Sequence, residues 1–317
     1  MNRSLKQIVG IAAGIACLTV TACTQQRVKN GGNLSPVSAD TVTVVQDVQR
    51  YEPPVVPVMI RTKEERQRFL ALHYWNDFDF ADTTHFSKPE VTEQALADYL
   101  YLLGEVSADI CREGISLLLD KALTADSTMF AHFTGLLEHY LYEPNSPYRN
   151  DEAYIAVLEY ITASLQISKT DKLRPAYQLK MIRKNRIGEW AADFTYTLKD
   201  GSQRALHGIR SEYTVLFFNN PDCEECRRIK AVLTELDVFV HNPAVTILSI
   251  YPDEDVELWR RTPYPDSWIN GYGNADIDKR YDLRAIPSLY LLDREKRVIL
   301  KNAPIEAIID FLNQYRT

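Results

Sequence analysis

The chain has 317 residues, of which 45% are hydrophobic and 25% are charged. A chain of this length and composition can bury a large core, and we expect two folded domains after an export signal. The net charge of -7 argues against nucleic acid as a partner, because binding to a phosphate backbone needs clustered Lys and Arg.

The first residues have the layout of an export signal. Arg3 and Lys6 precede an apolar run over about residues 8–20, which is too short to span a bilayer comfortably. The letters VTAC, ending at Cys23, resemble a bacterial lipobox, which implies cleavage before Cys23 and lipid attachment to its sulfur. We therefore expect residues 1–22 to be a lipoprotein signal peptide. The mature chain would be lipid-anchored to the bacterial cell envelope and face the periplasm or the cell surface. An ordinary cleaved signal is the alternative.

Residues 23–58 are predicted to be a flexible tether, because Gly, Asn, Ser and spaced prolines cannot bury a core. Residues 59–168 are predicted to form an all-α helical bundle domain, with four or five amphipathic helices. Apolar residues recur there at helical spacing, and the letters TKEE from Thr62 and SKPE from Ser87 both fit a capping box.

The segment HYWNDFDFADTTHF combines aromatic residues with Asp77, Asp79 and Asp82. Ala81 and Asp82 occupy the fifth and sixth positions of a would-be calcium loop, which needs a ligand and then a glycine there. We therefore interpret the segment as a packed aromatic corner with solvated acids. Cys111 lies on an apolar helix face and is interpreted as a small buried hydrophobic residue.

From residue 169 to residue 317 the pattern changes to apolar strands that alternate with helices. Strands are predicted at YTVLFF, AVTILSI, PSLYLLD and RVILK, and a hairpin turns at Asp200 and Gly201. Continuous apolar strands between helices indicate a buried, partly parallel sheet. The second domain is thus predicted to be α/β, with a central mixed sheet flanked by helices.

Cys223 and Cys226 follow one of these strands at the predicted start of a helix. A zinc site needs about four ligands, and the chain offers one such cysteine pair and no suitably placed histidines. A helix start favours an anion, so we expect the Cys223 thiolate to be stabilised there. Cys223 could then attack a disulfide and Cys226 could resolve the mixed intermediate. Strand, cysteine pair and helix together indicate redox chemistry.

PDCEEC after an apolar strand and AIPSLYLLDREKRVI about sixty residues later resemble the thioredoxin fold. The length between them and the preceding GEWAADFTYTLKDGSQRAL are similar to exported thiol-disulfide oxidoreductases of the TlpA and ResA type. The helical half is similar to a domain of unknown function found before such domains in lipoproteins of Gram-negative gut anaerobes. The resemblance implies a cis Ile286–Pro287 bond that faces the cysteines, with Ile286 and Pro287 binding an extended substrate.

Asp222, Glu224 and Glu225 depart from the family pattern, which usually has Trp before the first cysteine and a pair such as Gly-Pro between the cysteines. Carboxylates next to the sulfurs disfavour a thiolate, so we expect them to tune the pair towards a reductase or isomerase and away from an oxidase. The preceding strand lacks an obvious buried acid, so no proton acceptor for Cys226 can be named.

The leading hypothesis is a membrane-tethered lipoprotein with thiol-disulfide oxidoreductase activity towards protein thiols or disulfides of the cell envelope. Cys223 and Cys226 would be catalytic, and their redox-active disulfide would replace any bound cofactor or metal. The alternative is a non-catalytic binding or assembly module in which the same cysteines form a static disulfide. Metal handling and thiol peroxidase chemistry are further alternatives. The partner of the helical domain is unknown.

Overall fold

Six α-helices form the first half of the described chain. The computed structural model describes residues 50–273 and 276–315, so the predicted signal peptide, Cys23 and most of the tether lie outside the described residues. The helices are α1 (Lys63–His73), α2 (Pro89–Gly104), α3 (Ala108–Ala125), α4 (Ser127–Tyr142), α5 (Asp151–Ala163) and α6 (Leu173–Ile182). The prediction of four or five helices before residue 168 is confirmed, with five observed among the described residues.

Most of these helices begin at a residue whose side chain caps them. Thr62 accepts a hydrogen bond from the Glu65 N–H at the start of α1, as the capping box predicts. The prediction of a capping box at Ser87 is wrong, because α2 begins at Pro89 with Lys88 as its N-cap residue. Proline suits the first helical position because its missing N–H would have no partner there and its φ is already helical.

The core of the helical half is built around an aromatic cluster. Tyr74, Trp75, Phe78, Phe80 and Tyr99 are all buried, and Trp75 and Phe78 contact at 5.3 Å between ring centroids. Asp77 and Asp79 are exposed. The predicted aromatic corner is thereby confirmed, and edge-to-face ring packing adds to the hydrophobic stabilisation of this core.

The second half is a mixed sheet with helices on its faces. Seven strands lie in the order β2–β1–β5–β4–β3–β6–β7. They are β1 (Thr195–Thr197), β2 (Gln203–Ala205), β3 (Tyr213–Phe218), β4 (Val245–Tyr251), β5 (Ile269–Gly273), β6 (Ser288–Leu292) and β7 (Val298–Lys301). The helices are α7 (Glu224–Glu235), α8 (Asp237–Val240), α9 (Val256–Arg261), α10 (Ile277–Arg280) and α11 (Ile305–Gln314). β3, β4 and β5 are parallel, and the other pairs are antiparallel.

The central strand β3 is buried on both faces, which explains why its sequence is apolar throughout. Val215 and Phe217 pack with α7 and α11, while Leu216 and Phe218 pack with Tyr281 and its neighbours on the opposite face. Successive side chains of a strand point to opposite faces, so a strand covered on both sides needs apolar residues at every position. The predicted α/β class is confirmed.

Buried and half-buried charges join the helical half to the sheet. Lys301 of β7 lies 2.9 Å from the Asp151 carboxylate at the start of α5 and donates to the carbonyl of Ile182 at 2.6 Å. Arg186 binds both carboxylate oxygens of Glu152. The two halves belong to one compact unit, and α6, beyond the predicted boundary at residue 168, packs against α5. The predicted domain boundary itself stays a prediction.

Within residues 50–273 and 276–315, no helix is both long and apolar enough to span a membrane.

Candidate functional site

The cysteine pair lies where β3 gives way to α7. Cys223 is the N-cap residue of α7, in an extended conformation, and its sulfur accepts a hydrogen bond from the Cys226 N–H at 3.3 Å. Ser, Thr, Asp and Asn usually fill this position, because a side-chain acceptor satisfies a free N–H of the first turn. Here a sulfur takes that role, so the local fold itself positions Cys223.

The two sulfurs differ in exposure. Cys223 is half-buried, whereas Cys226 is 2% exposed and packs with Ile229, Val215 and Leu289. Both are free thiols in this structure. An incoming disulfide can therefore reach Cys223, while Cys226 lies behind it.

Burial also changes the acidity of the inner cysteine. The pKa of the Cys226 thiol is raised to about 12, chiefly because burial disfavours its charged form. The Asn220 N–H, 3.5 Å from the sulfur, lowers this pKa, while the neighbouring Cys223 and Glu225 raise it further. Cys226 is thus a protonated thiol at neutral pH.

Ile286 and Pro287 lie beside the cysteines, where the resemblance places them. The Ile286–Pro287 peptide bond is cis. The Cys223 S–H donates to the carbonyl of Ile286 at 3.7 Å. Ile286, Pro287 and the α7 residues Glu225 and Ile229 line one cleft. The structure therefore brings both cysteines and both predicted substrate-binding residues to a single place.

The three predicted redox-tuning carboxylates are all exposed. Glu225 accepts hydrogen bonds from Arg228 at 2.6 to 2.9 Å, and these bonds lower its pKa. Arg228 also lies 3.5 Å from Glu306 of α11. Arg228 therefore offsets the charge of Glu225, one of the three carboxylates. Solvent weakens the effect of the other two, Asp222 and Glu224.

The structure adds a polar network that the sequence interpretation did not identify. Asn219 is buried at the end of β3, where its amide donates to the Ser249 hydroxyl at 2.9 Å and accepts from the Tyr264 hydroxyl at 2.6 Å. Burial raises the pKa of Tyr264 to about 12, and nearby Cys226 raises it further. The only sequence signal was the pair of asparagines between the apolar strand and Cys223.

Asn220 orders the turn that leads into the cysteines. Its side-chain oxygen accepts from the Asp222 N–H at 2.8 Å, and its amide donates to Asp253 at 2.7 Å. Such a side-chain turn fixes the backbone two residues ahead. Asn220 therefore holds both the turn and, through its own N–H, the sulfur of Cys226.

Cys111 lies in the helical core, more than 100 residues before Cys223 in the sequence. It is 8% exposed, and burial raises its pKa to about 11. The prediction of a small buried hydrophobic residue is confirmed. Across residues 50–273 and 276–315, no three His, Cys, Asp or Glu side chains lie close enough to hold a metal ion together.

Comparison with known families identifies the first half of the chain. A family model described as "Domain of unknown function (DUF5106)" matches residues 22–185, which is just over half of the sequence. The chain belongs to this family. No match was found among curated proteins.

Solved structures show similarity over both halves. A thioredoxin-like protein from Bacteroides caccae is 40% identical, with a TM-score of 0.79, and the match covers 84% of this chain and 99% of that one. The C-terminal domain of an uncharacterized protein from Bacteroides fragilis is 39% identical over 41% of this chain and 98% of its own, with a TM-score of 0.39. A domain of a possible thiol-disulfide isomerase from Cytophaga hutchinsonii is 25% identical over 42% of this chain and 95% of its own, with a TM-score of 0.35.

The match to the thioredoxin-like protein from Bacteroides caccae and the family match confirm the predicted resemblance and fold class. The chain combines a helical DUF5106 region with a thioredoxin-like region.

Proposed function

We propose that the chain exchanges thiols and disulfides with protein partners in the bacterial cell envelope. The observation that carries this proposal is the placement of the two sulfurs. Cys223 is half-buried at the first turn of α7, next to the carbonyl of Ile286, and Cys226 is buried directly behind it. Ile286 also lines an open cleft. A purely structural disulfide does not require one of its sulfurs to be accessible.

In the reductive direction, a thiolate at Cys223 attacks one sulfur of a partner disulfide. A bond forms between Cys223 and that sulfur, and the partner's second sulfur leaves as a thiolate that takes up a proton. Cys226 then loses its proton and attacks Cys223, so that a Cys223–Cys226 disulfide forms and the partner's remaining thiolate leaves and is protonated. Two electrons pass from the cysteine pair to the partner.

The surroundings of the cysteine pair favour a reductase or an isomerase over an oxidase. A strong oxidant needs a reduced form that is stabilised, generally as a thiolate. Burial has the opposite effect on Cys226, and exposed carboxylates at residues 222, 224 and 225 surround the pair. We therefore expect a reduction potential closer to that of thioredoxin, about -270 mV, than to that of a strong oxidant near -120 mV.

The proposed location is the cell envelope, with the mature chain anchored by a lipid on Cys23 and its folded part facing the periplasm or the cell surface. Support comes from the layout of residues 1–23. In this proposal Cys23→Ser leaves the folded part intact but moves the protein from the membrane fraction to the soluble fraction. A Cys17→Ser variant, altered within the removed signal, serves as the matched control.

Trapping of partners tests the activity. The full chain is incubated with a disulfide-bonded protein as Cys226→Ala, which leaves the attacking thiol, and as Cys223→Ser, which removes it. Mixed disulfides are then counted on non-reducing gels. We expect accumulation with Cys226→Ala and little with Cys223→Ser, and Cys111→Ser should behave like the unaltered chain. A pair that resists glutathione and traps nothing in either variant would instead support the static binding module.

A further inference from the structure

The cleft beside Cys223 has walls from both halves of the molecule. It encloses about 710 Å³. One wall comes from α7 and the Ile286–Pro287 segment, and the facing wall comes from residues 144–152, which lead from α4 into α5. Neither cysteine lines the cleft, but Ile286 does, and its carbonyl accepts from the Cys223 S–H. A peptide bonded to Cys223 can therefore extend past Ile286 into the cleft.

The facing wall is held in place by contacts between the halves. The guanidinium carbon of Arg284 lies 3.1 Å from the ring centroid of Tyr142, the last residue of α4. Asp151, the first residue of α5, lies 2.9 Å from the Lys301 ammonium, whose side chain is 4% exposed. The residues 144–150 between these two contacts are thus anchored at both ends, so the wall has a defined position.

The charged groups of the cleft already neutralise one another. Its five cationic side chains each lie within 4 Å of a carboxylate, in the pairs Arg149–Asp151, Arg186–Glu152, Arg228–Glu225, Arg284–Asp282 and Lys301–Asp151. A strongly charged ligand would find no free countercharge among them. Much of the remaining lining is apolar, including Pro147, Ile187, Ile229 and Leu289.

One polar atom of the lining lacks a partner. Asp282 has a side chain that is 3% exposed, and its Oδ2 is paired with Arg284 at 3.1 Å. Its Oδ1 is buried without a hydrogen-bond partner among the described residues. Because this oxygen is itself buried, a ligand in the cleft does not reach it, and it adds no free acceptor to the cleft surface.

We propose that residues 144–150 of the DUF5106 region form the specificity wall of the cleft, which binds an extended peptide segment with apolar side chains on either side of its cysteine. This inference rests on the proposed function, because the peptide is held while its sulfur bonds to Cys223. Its apolar side chains cover the apolar lining.

Two synthetic peptides test the proposal. Each carries one cysteine linked to thionitrobenzoate; the first has Leu and Val on both sides of the cysteine, and the second has Gly and Ser. Attack by Cys223 on the peptide sulfur forms the mixed disulfide and releases thionitrobenzoate, which is followed by its absorbance. The leaving group is the same, so a rate difference reports binding. For the full, reduced chain we expect the apolar peptide to react at least about tenfold faster.

The matched variants are Asn145→Trp, which adds bulk at an exposed cleft residue, and Gln166→Trp, which adds it at an exposed residue of the same half outside the cleft lining. Asn145→Trp should abolish the preference, so that the rates with the two peptides differ by less than about twofold. Gln166→Trp should keep the preference.

The outcomes separate the two proposals. Equal rates with both peptides in the unaltered chain, or a preference that survives Asn145→Trp, would overturn the specificity wall and leave the exchange activity standing. Failure to release thionitrobenzoate from either peptide would overturn the proposed function and, with it, this inference.

Discussion

Cys223 and Cys226 lie three positions apart in the sequence, but only one of them is accessible. The half-buried Cys223 accepts an N–H of the first helical turn, whereas Cys226 faces the core under the sheet. The helix produces this difference, because residues three apart share one side and the outer residue shields the inner one. In the proposed exchange cycle, exposure therefore sets the order of events: Cys223 would react first and Cys226 second.

The raised pKa of Cys226 predicts a pH-dependent second step. Its pKa is about 12, so between pH 7 and 9 its thiolate fraction, and hence the rate of resolution, should rise about tenfold per pH unit. Release of a labelled peptide from a preformed mixed disulfide on Cys223 measures this rate. The Cys226→Ala variant, which cannot resolve, gives the background at each pH. A release rate that is flat from pH 7 to 9 would contradict the assignment of Cys226.

Two helix glycines give a matched test of packing in the helical core. A methyl group on Gly114 of α3 would lie 2.5 Å from the Tyr99 hydroxyl and 2.9 Å from the Ala71 carbonyl, which are hydrogen-bonded to each other at 2.9 Å. Gly114→Ala should therefore lower the free energy of unfolding by about 1 to 3 kcal/mol. Gly135 of α4 has nothing within 4 Å of that position.

The control should shift in the opposite direction. Gly135→Ala adds a better helix former at an exposed site and should raise the free energy of unfolding by roughly 0.5 to 1 kcal/mol. Urea denaturation followed by circular dichroism measures both variants. Equal effects of the two substitutions would mean that the close contact between α3, α1 and α2 at Gly114 does not constrain the core.

At the scale of helices and strands, the sequence predicts the elements whose own residues show which faces are buried. The run YTVLFF coincides with β3, and the hairpin turn at Asp200 and Gly201 is formed, with Gly201 at a φ of 84°. β5 is not among the predicted strands, because its glycines and its length give a weak strand signal. Its pairing with β1 and β4 explains the composition: a Cβ at Gly271 would lie 2.6 Å from the Tyr196 ring.

The site could be predicted only in part for a similar reason. The cysteine pair and the Ile286–Pro287 segment each carry a motif. Asn219 and Tyr264 carry none and meet only because the chain after α9 returns to the end of β3. The cleft wall at residues 144–150 lies more than 70 positions before Cys223, and no local pattern connects the two.

Removal of the Lys301–Asp151 pair tests how much the contact between β7 and α5 contributes to the free energy of unfolding. Lys301→Met removes an ammonium that is 4% exposed and leaves Asp151 with Arg149 alone, at 3.5 Å. Breaking a buried pair costs several kcal/mol, so we expect a loss of about 3 kcal/mol in the free energy of unfolding. Lys63→Met breaks the exposed pair with Glu105 and should cost less than about 1 kcal/mol. Comparable losses in urea denaturation would show that Lys301 is solvated.

At the scale of the whole molecule, three of the side chains that join the halves also line the cleft. Lys301, Arg284 and Arg186 all line the cleft and all reach residues of α4 or α5. The same side chains therefore hold the halves together and shape the space beside the cysteines. Loss of one half should then remove a wall of the cleft. In the proposed exchange reaction, the helical region would contribute through this wall and not through a reactive sulfur of its own.

We expect the two halves to unfold as one cooperative unit because these shared contacts are buried or half-buried. Hydrogen exchange measured on peptides from α3 and β3 should give opening free energies within about 1 kcal/mol of each other. In Lys301→Met, whose altered residue lies in β7, the protection of α3 should fall by as much as that of β3. If α3 keeps its full protection while β3 loses about 3 kcal/mol, the halves are energetically independent, and the helical wall is not coupled to the sheet.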